Sequence, residues 1–411
     1  MKQQIIFNRN FAFIWSASLL SGIGDSIMSI AVLWGVYSFT QSPIALGIVT
    51  LAQLLPIIIF SFYSGVLADT YSTKKIMIYS DIARFLLLLF LIIFWSFGFN
   101  SKLILLYITV FFLSVFSSFF DPSFQTTIKQ IVRKEDLINA NSWFQFSRNF
   151  SRLFGLMLGG ILVETLGIVN SFIINALSFL ISAILLFLSE IPYEKQALVS
   201  KKISHHFIDS LKYLKTAPNT LKQSLWYIII INFSVAPLSI IMTILADKTE
   251  YDSLGLGVFN TALAIGSILG AFFAPKLKKK SKDSSIIFYY ITFYCTFVFL
   301  ATCFKNLFLG SLFFFLSGVF SSVTLIFVNT IMQRDTDIKF IGKISSFRSM
   351  ALRIPPPIIA LVYGWVVLKL GLIISTLFIQ LITLSLCFII KIKYKERSDE
   401  KCIVSQSSSI K

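Results

Sequence analysis

Residues 76–99 read IMIYSDIARFLLLLFLIIFWSFGF, and this stretch decides the class of fold. After Asp81 and Arg84 it carries no charge, and Phe85 to Trp95 is apolar without interruption. About 20 such residues in a helix cross about 30 Å of hydrocarbon. Helix is the required form, because backbone N–H and C=O groups in lipid must be satisfied within the segment. Working outward, eleven further runs have the same character, near 11–39, 44–68, 103–128, 139–164, 168–190, 224–246, 253–275, 284–304, 306–331, 341–368 and 370–391. The first is too long for the roughly 7–15-residue apolar core of a cleaved leader, so it reads as a retained span. Composition agrees. Of 411 residues, 56% are hydrophobic and 13% are charged, against about 25% charged in soluble domains. The expected fold is an all-α integral membrane protein of twelve transmembrane helices.

The +17 net charge would suggest nucleic acid in a soluble chain. Here the basic residues fall between apolar runs, so no nucleic-acid partner is expected and the bilayer takes that role. With the N-terminus inside, 27 of the 36 Lys and Arg residues lie in inside segments and four (Lys102, Lys248, Lys305, Lys369) in outside ones. The other five are arginines within spans. This asymmetry orients the chain with both termini cytoplasmic, in a cell membrane. An odd number of spans would put the C-terminal KIKYKER cluster outside.

Six spans precede a basic stretch near 191–223 and six follow it. The expected organisation is a first bundle at 1–190, a cytoplasmic linker at 191–223, a second bundle at 224–392 and a cytoplasmic tail at 393–411. In the linker, Ile203, Phe207, Ile208, Leu211 and Leu214 share one helical face, which fits an interfacial amphipathic helix or a short soluble one. The halves echo each other in detail. Ser147-Arg148 has a counterpart in Phe347-Arg348, and Gly160 and Gly167 are spaced like Gly364 and Gly371. Repeats of this kind, with substrate held between halves, are a transporter architecture.

The loop after the second span reads Gly65-Val66-Leu67-Ala68-Asp69-Thr70-Tyr71-Ser72-Thr73-Lys74-Lys75. It resembles the signature loop of the major facilitator superfamily, with Thr70, Ser72 and Thr73 replacing the usual Arg, Gly and Arg. Gly65 is expected to permit close helix packing, Asp69 to cap a helix end or meet a cation, and Lys74 and Lys75 to hold the loop inside. Ser21–Ser26, Ala52–Pro56, Asp81–Arg84, Phe120–Pro122, Ile138–Ser142 and Ser147-Arg148, in this order, resemble the branch that includes macrolide-efflux-type exporters. Gly155-Leu156-Met157-Leu158-Gly159-Gly160 is similar to the Gly-Pro-x-x-Gly-Gly motif of drug–proton antiporters, with Leu156 in place of Pro.

Ionisable residues within spans are costly in lipid and point to function. Asp25, beside Gly24, Ser26 and Ser29, is a candidate proton-coupling carboxylate or a structural hydrogen-bonding one. Glu164 is a second proton-site candidate or a snorkelling carboxylate. Asp81 and Arg84 are three apart and can pair on one face. Arg148, Arg152, Arg348 and Arg353 need anionic partners, and Asp69, Asp81 and Asp121 are available. They are read as a gate of ion pairs, or in part as an anion-binding set. Pro355-Pro356-Pro357 is expected to break the helix locally.

The chain has no GxxxxGK[ST] loop, so no ATP-binding domain is expected. Cys295, Cys303, Cys387 and Cys402 form no metal-ligand spacing, and His205-His206 sits in a polar stretch. Metal, cofactor and enzymatic readings therefore have no support. The resemblance implies a monomeric secondary transporter that exports amphipathic, cationic compounds by alternating access in exchange for protons. The alternatives are export of a siderophore or other anionic metabolite, and a non-transporting membrane sensor or immunity protein.

Overall fold

The computed structural model describes residues 9–96, 102–133, 136–191, 217–275, 285–336 and 341–408. The linker helix expected at 203–214 lies outside the described residues. The helices are α1 (Arg9–Thr40), α2 (Pro43–Thr70), α3 (Thr73–Ser96), α4 (Lys102–Ile131), α5 (Leu137–Leu188), α6 (Asn219–Val235), α7 (Leu238–Asp247), α8 (Asp252–Phe273), α9 (Ser285–Cys303), α10 (Leu307–Arg334), α11 (Ile341–Arg353), α12 (Pro355–Leu370) and α13 (Leu372–Ser408). No strand occurs among the described residues.

Eleven helical stretches are long and apolar enough to cross a membrane. One of them, Asn139–Leu188, runs 50 residues. At about 1.5 Å per residue this is more than twice the hydrocarbon thickness. Gly167 divides it, with φ 83° and ψ 171°, a combination essentially confined to glycine. The two arms are separate spans, which brings the crossings to twelve. Gly371 takes nearly the same angles, φ 78° and ψ 168°, between α12 and α13. The side chains repeat too: Ser171 Oγ donates to the Gly167 carbonyl and Ser375 Oγ to that of Gly371. The glycine spacing in the two halves therefore marks one hairpin used twice.

Proline sets smaller interruptions. Ala236-Pro237 separates α6 from α7. The helix breaks locally at the triple proline: α11 ends at Arg353 and α12 begins at Pro355. Only Ile354 separates α11 from α12, and it keeps helical angles (φ −73°, ψ −44°). Prolines at the first turn of a helix lose N–H groups that have no intrahelical acceptor anyway, so the feature is a short interruption in one span.

Two compact units divide the chain: Met1–Val199 with Met242–Thr261, and Ser200–Ile241 with Ala262–Lys411. In the first, α3 sets the pattern. Leu88, Leu91 and Trp95 are buried, whereas Ile82, Leu86, Phe90 and Ile93 form an exposed apolar face suited to lipid. Small residues let α1 and the first arm of α5 approach closely. A Cβ on Gly155 would lie 2.6 Å from Ser26 Cβ and 2.7 Å from the Ile23 carbonyl, and one on Gly159 would lie 3.1 Å from Ile27 Cα. Gly160 meets the Gly257 backbone in the same way. In the second unit, Gly266, Gly270 and Gly318 play this part where α8 crosses α10. Gly65 does not: a Cβ there would have no neighbour within 4 Å. The packed face of α2 runs through Ser64 and Ala68, both buried, and Gly65 lies about 100° round the helix from Ser64. The close packing expected at Gly65 is corrected accordingly.

Candidate functional site

Inside the first unit lies a cavity of about 220 Å³. Three stripes at helical spacing build it. Helix α1 supplies Ser18, Ser21, Gly22, Asp25 and Ser26; α4 supplies Ser117 and Asp121; the first arm of α5 supplies Arg148, Ser151 and Arg152. Arg84 of α3 and the rings of Phe120 and Phe124 complete the wall. Those two rings also belong to a buried apolar cluster with Phe11, Ile14, Met77 and Phe144. Asp25, Asp121, Arg148 and Arg152 are all accessible within the unit. Five of the expected site residues are thus brought to one place from four helices.

Beneath the cavity Arg84 is fully engaged. Its Nη2 donates to Asp81 Oδ1 at 2.5 Å and its Nε to the Ser80 carbonyl at 3.3 Å. The guanidinium lies 4.7 Å from the Phe120 ring centroid and 4.5 Å from that of Phe179, within cation–π range. Ser182 Oγ donates to the other Asp81 oxygen at 2.6 Å. A buried ion pair is tolerated when its remaining lone pairs and protons are satisfied in this way.

The other arginines of this unit differ. Among the described residues the ion pairs are Arg84–Asp81 and Arg334–Asp335, so no carboxylate lies within 4.0 Å of Arg148 or Arg152. Of the acidic residues expected to meet arginines, Asp81 is engaged by Arg84 on its own helix. In the second unit Arg348 Nη1 donates to Asn329 Oδ1 at 2.6 Å, while its buried Nε has no partner. Arg353 is exposed.

Asp25 faces Asn175 on the second arm of α5, and its charged neighbours include Arg84, Asp81 and Asp121. Asn175 is fully buried, and its Nδ2 makes no hydrogen bond of normal geometry. Gly24 creates the room: a Cβ there would lie 2.4 Å from Asn175 Oδ1 and 2.3 Å from Ser178 Oγ. Sequence reasoning missed Asn175, Ser178 and Ser182. The signal was present, since Ser171, Asn175, Ser178 and Ser182 form one stripe in an otherwise apolar run. In lipid such a stripe turns towards protein, and all four are buried.

Four further expected residues sit elsewhere. Glu164 accepts from Ser253 Oγ at 2.7 Å, away from the cavity lining. Lys74 meets no carboxylate. It donates to the carbonyls of Phe187 and Ser189 at 2.8 and 2.6 Å, closing the C-terminal end of α5, where unsatisfied carbonyls and the helix dipole favour a cation. Lys75 is exposed. Asp69 falls in the last turn of α2, and its side chain lies outside the described residues. Among the described residues no cluster of His, Cys, Asp or Glu has metal-binding geometry.

Comparison with known proteins gives a consistent picture. A family described as transmembrane secretion effector matches residues 5–340. The MFS-type transporter YfiS of Bacillus subtilis (strain 168) is 30% identical over 213 residues, 49% of this chain and 48% of that protein; the match thus spans about half of that relative. The staphyloferrin A transporter of Staphylococcus aureus is 24% identical over 277 residues, 65% of this chain and 67% of that protein. The multidrug efflux pump Tap of Mycolicibacterium fortuitum is 22% identical over 266 residues, 62% of this chain and 64% of that protein. Among solved structures, a bacterial homologue of the iron transporter ferroportin superposes with a TM-score of 0.69 at 14% identity, over 96% of this chain and 99% of that one. That likeness concerns the fold. Twelve membrane crossings, the repeated glycine hairpin and the family match lead to one conclusion: the chain belongs to the transmembrane secretion effector family of the major facilitator superfamily, a family of membrane transporters.

Proposed function

We propose that the chain is a monomeric secondary exporter in the cell membrane, with both termini cytoplasmic, which moves amphipathic small molecules outward by alternating access in exchange for protons. The six-and-six division about residues 191–223 is part of this reading. One observation carries it: a polar cavity with accessible carboxylates, Asp25 and Asp121, stands within the membrane-spanning part of the first unit. Intramembrane ionisable groups facing a cavity mark ion and substrate pathways. The names of two relatives, a multidrug efflux pump and a staphyloferrin A transporter, fit export of small organic molecules.

Asp25 is the coupling group in this mechanism. A proton entering from outside binds its carboxylate, the solute leaves outward, and the proton is released to the cytoplasm. The buried amide of Asn175, whose Nδ2 has no other hydrogen-bond partner among the described residues, is the donor available to the charged carboxylate. Alternating access exposes the cavity to each side in turn.

Accumulation of ethidium, erythromycin and the anionic dye carboxyfluorescein in expressing cells, with and without a protonophore, tests this. Expression should lower accumulation of at least one compound, the protonophore should abolish the effect, and Asp25→Asn should remove it. Unchanged accumulation of the whole panel sinks the export reading and leaves the non-transporting alternative. Wild-type, protonophore-sensitive efflux by Asp25→Asn sinks the role of Asp25 alone.

A further inference from the structure

We propose that the cavity of the first unit is an anion subsite, in which Arg148 and Arg152 grip the carboxylate or phosphate-type head of the exported solute. This deepens the transport reading and rests on it.

The argument starts from which charges in the cavity can be neutralised. Arg84 is matched by Asp81 at 2.5 Å. A carboxylate has an exit from an unfavourable site, since it can lose its charge by binding a proton. Arginine has no such exit, because its guanidinium stays protonated in proteins. Neither Arg148 nor Arg152 has a carboxylate within 4.0 Å among the described residues. An uncompensated charge within a membrane span is expensive. Asp25 and Asp121 share the cavity but reach neither guanidinium at ion-pair distance, which leaves that place to an anionic group of the solute.

The geometry suits the assignment. Arg148 and Arg152 are one turn apart on α5, so their side chains lie on one face about 6 Å apart, and both line the cavity. Each presents planar donors that match a carboxylate or phosphate bidentately. The hydroxyls of Ser18 and Ser117 line the same space. Its volume, about 220 Å³, is below the roughly 300–1,000 Å³ of pockets that enclose a whole drug-sized ligand. The cavity thus takes a charged head, while the apolar remainder of the solute stays outside it.

A soluble organic acid and an anionic lipid present the same chemistry. The full-length protein is therefore purified in dodecyl maltoside, which carries no phosphate, and its thermal unfolding is followed with citrate, with inorganic phosphate and with phosphatidylglycerol. The expected result is dose-dependent stabilisation by citrate or phosphate. Arg148→Gln/Arg152→Gln should weaken that binding at least tenfold, Arg148→Lys/Arg152→Lys should retain part of it, and Lys305→Gln, at an exposed position outside the cavity, should bind like wild type. Stabilisation by phosphatidylglycerol alone identifies a lipid site and overturns the proposal for the solute. So does an unchanged affinity in the folded double Gln variant, or no stabilisation of wild type by any probe. Efflux of the same three-compound panel is measured in parallel. Protonophore-sensitive efflux without anion binding leaves the transport reading intact and removes this inference. Anion binding without efflux of any panel compound removes the transport reading instead.

Discussion

Arg84 and Asp81 form an ion pair on one turn of α3 at 2.5 Å, and every side of it is occupied: Ser182 donates to the second carboxylate oxygen, and Phe120 and Phe179 cover the guanidinium. Removing one partner leaves a buried charge, at about 3–5 kcal/mol. Asp81→Ala should therefore lower the unfolding midpoint strongly. The double variant Asp81→Leu/Arg84→Met should recover most of the loss, since apolar replacement of a whole buried pair is often near neutral. Thermal unfolding of the four proteins in detergent checks this. Equal destabilisation of single and double variants would show that packing matters here, and not the isolated charge.

Gly167 and Gly371 hold the same glycine-only backbone angles at equivalent hairpins. Gly167→Ala and Gly371→Ala should each cost about 1–3 kcal/mol through backbone strain, although a Cβ at either position meets no neighbour within 4 Å. The two effects should add, because the residues lie in different units and share no partner. Denaturant titration of the single and double variants measures this, and two neutral substitutions would disprove it.

Gly155 and Gly65 make opposite predictions despite both lying in family-like motifs. Gly155→Ala forces a Cβ against Ser26 and the Ile23 carbonyl and should destabilise by about 1–3 kcal/mol through overpacking. Gly65→Ala enters open space and should be neutral or stabilising by up to about 1 kcal/mol, through helix propensity. Expression level and unfolding midpoint of each variant decide the matter; a larger loss at Gly65 contradicts the packing described for α2.

Asp335, just past α10, supplies a pH-dependent tether. Burial alone pushes its carboxyl up, but hydrogen bonds from Arg334 and from Thr220 at the start of α6 outweigh it and hold the group below the ordinary carboxylate range. A depressed native pKa contributes stability that is complete above the unfolded value of about 3.9 and is lost as pH falls through the folded one. Wild type should therefore be more stable than Asp335→Asn at pH 7, and the gap should narrow as pH falls below the ordinary carboxylate value of about 3.9. A gap independent of pH between 7 and 3 would rule the tether out.

How much of this was legible in the residues follows from what lipid demands. Long apolar runs, the Lys/Arg asymmetry and the Gly65–Lys75 loop led to a twelve-span transporter, because a bilayer requires every span to be a helix of sufficient length whatever its neighbours are. Asp81–Arg84 was also readable, since its partners are one turn apart on one helix. The fates of the other charges were not. Lys74 caps α5, Arg148 and Arg152 stand without carboxylates, and Asp25 faces Asn175, and each outcome depends on which helices pack together. Helix spacing shows which residues share a face. The distance to a residue more than a hundred positions away depends on crossings that Gly155 and Gly159 permit and on the turn made at Gly167. The sequence alone therefore determined that charges lie within the membrane, and the packing of α1, α3, α4 and α5 decided which are neutralised in place and which two arginines stand without a carboxylate at ion-pair distance.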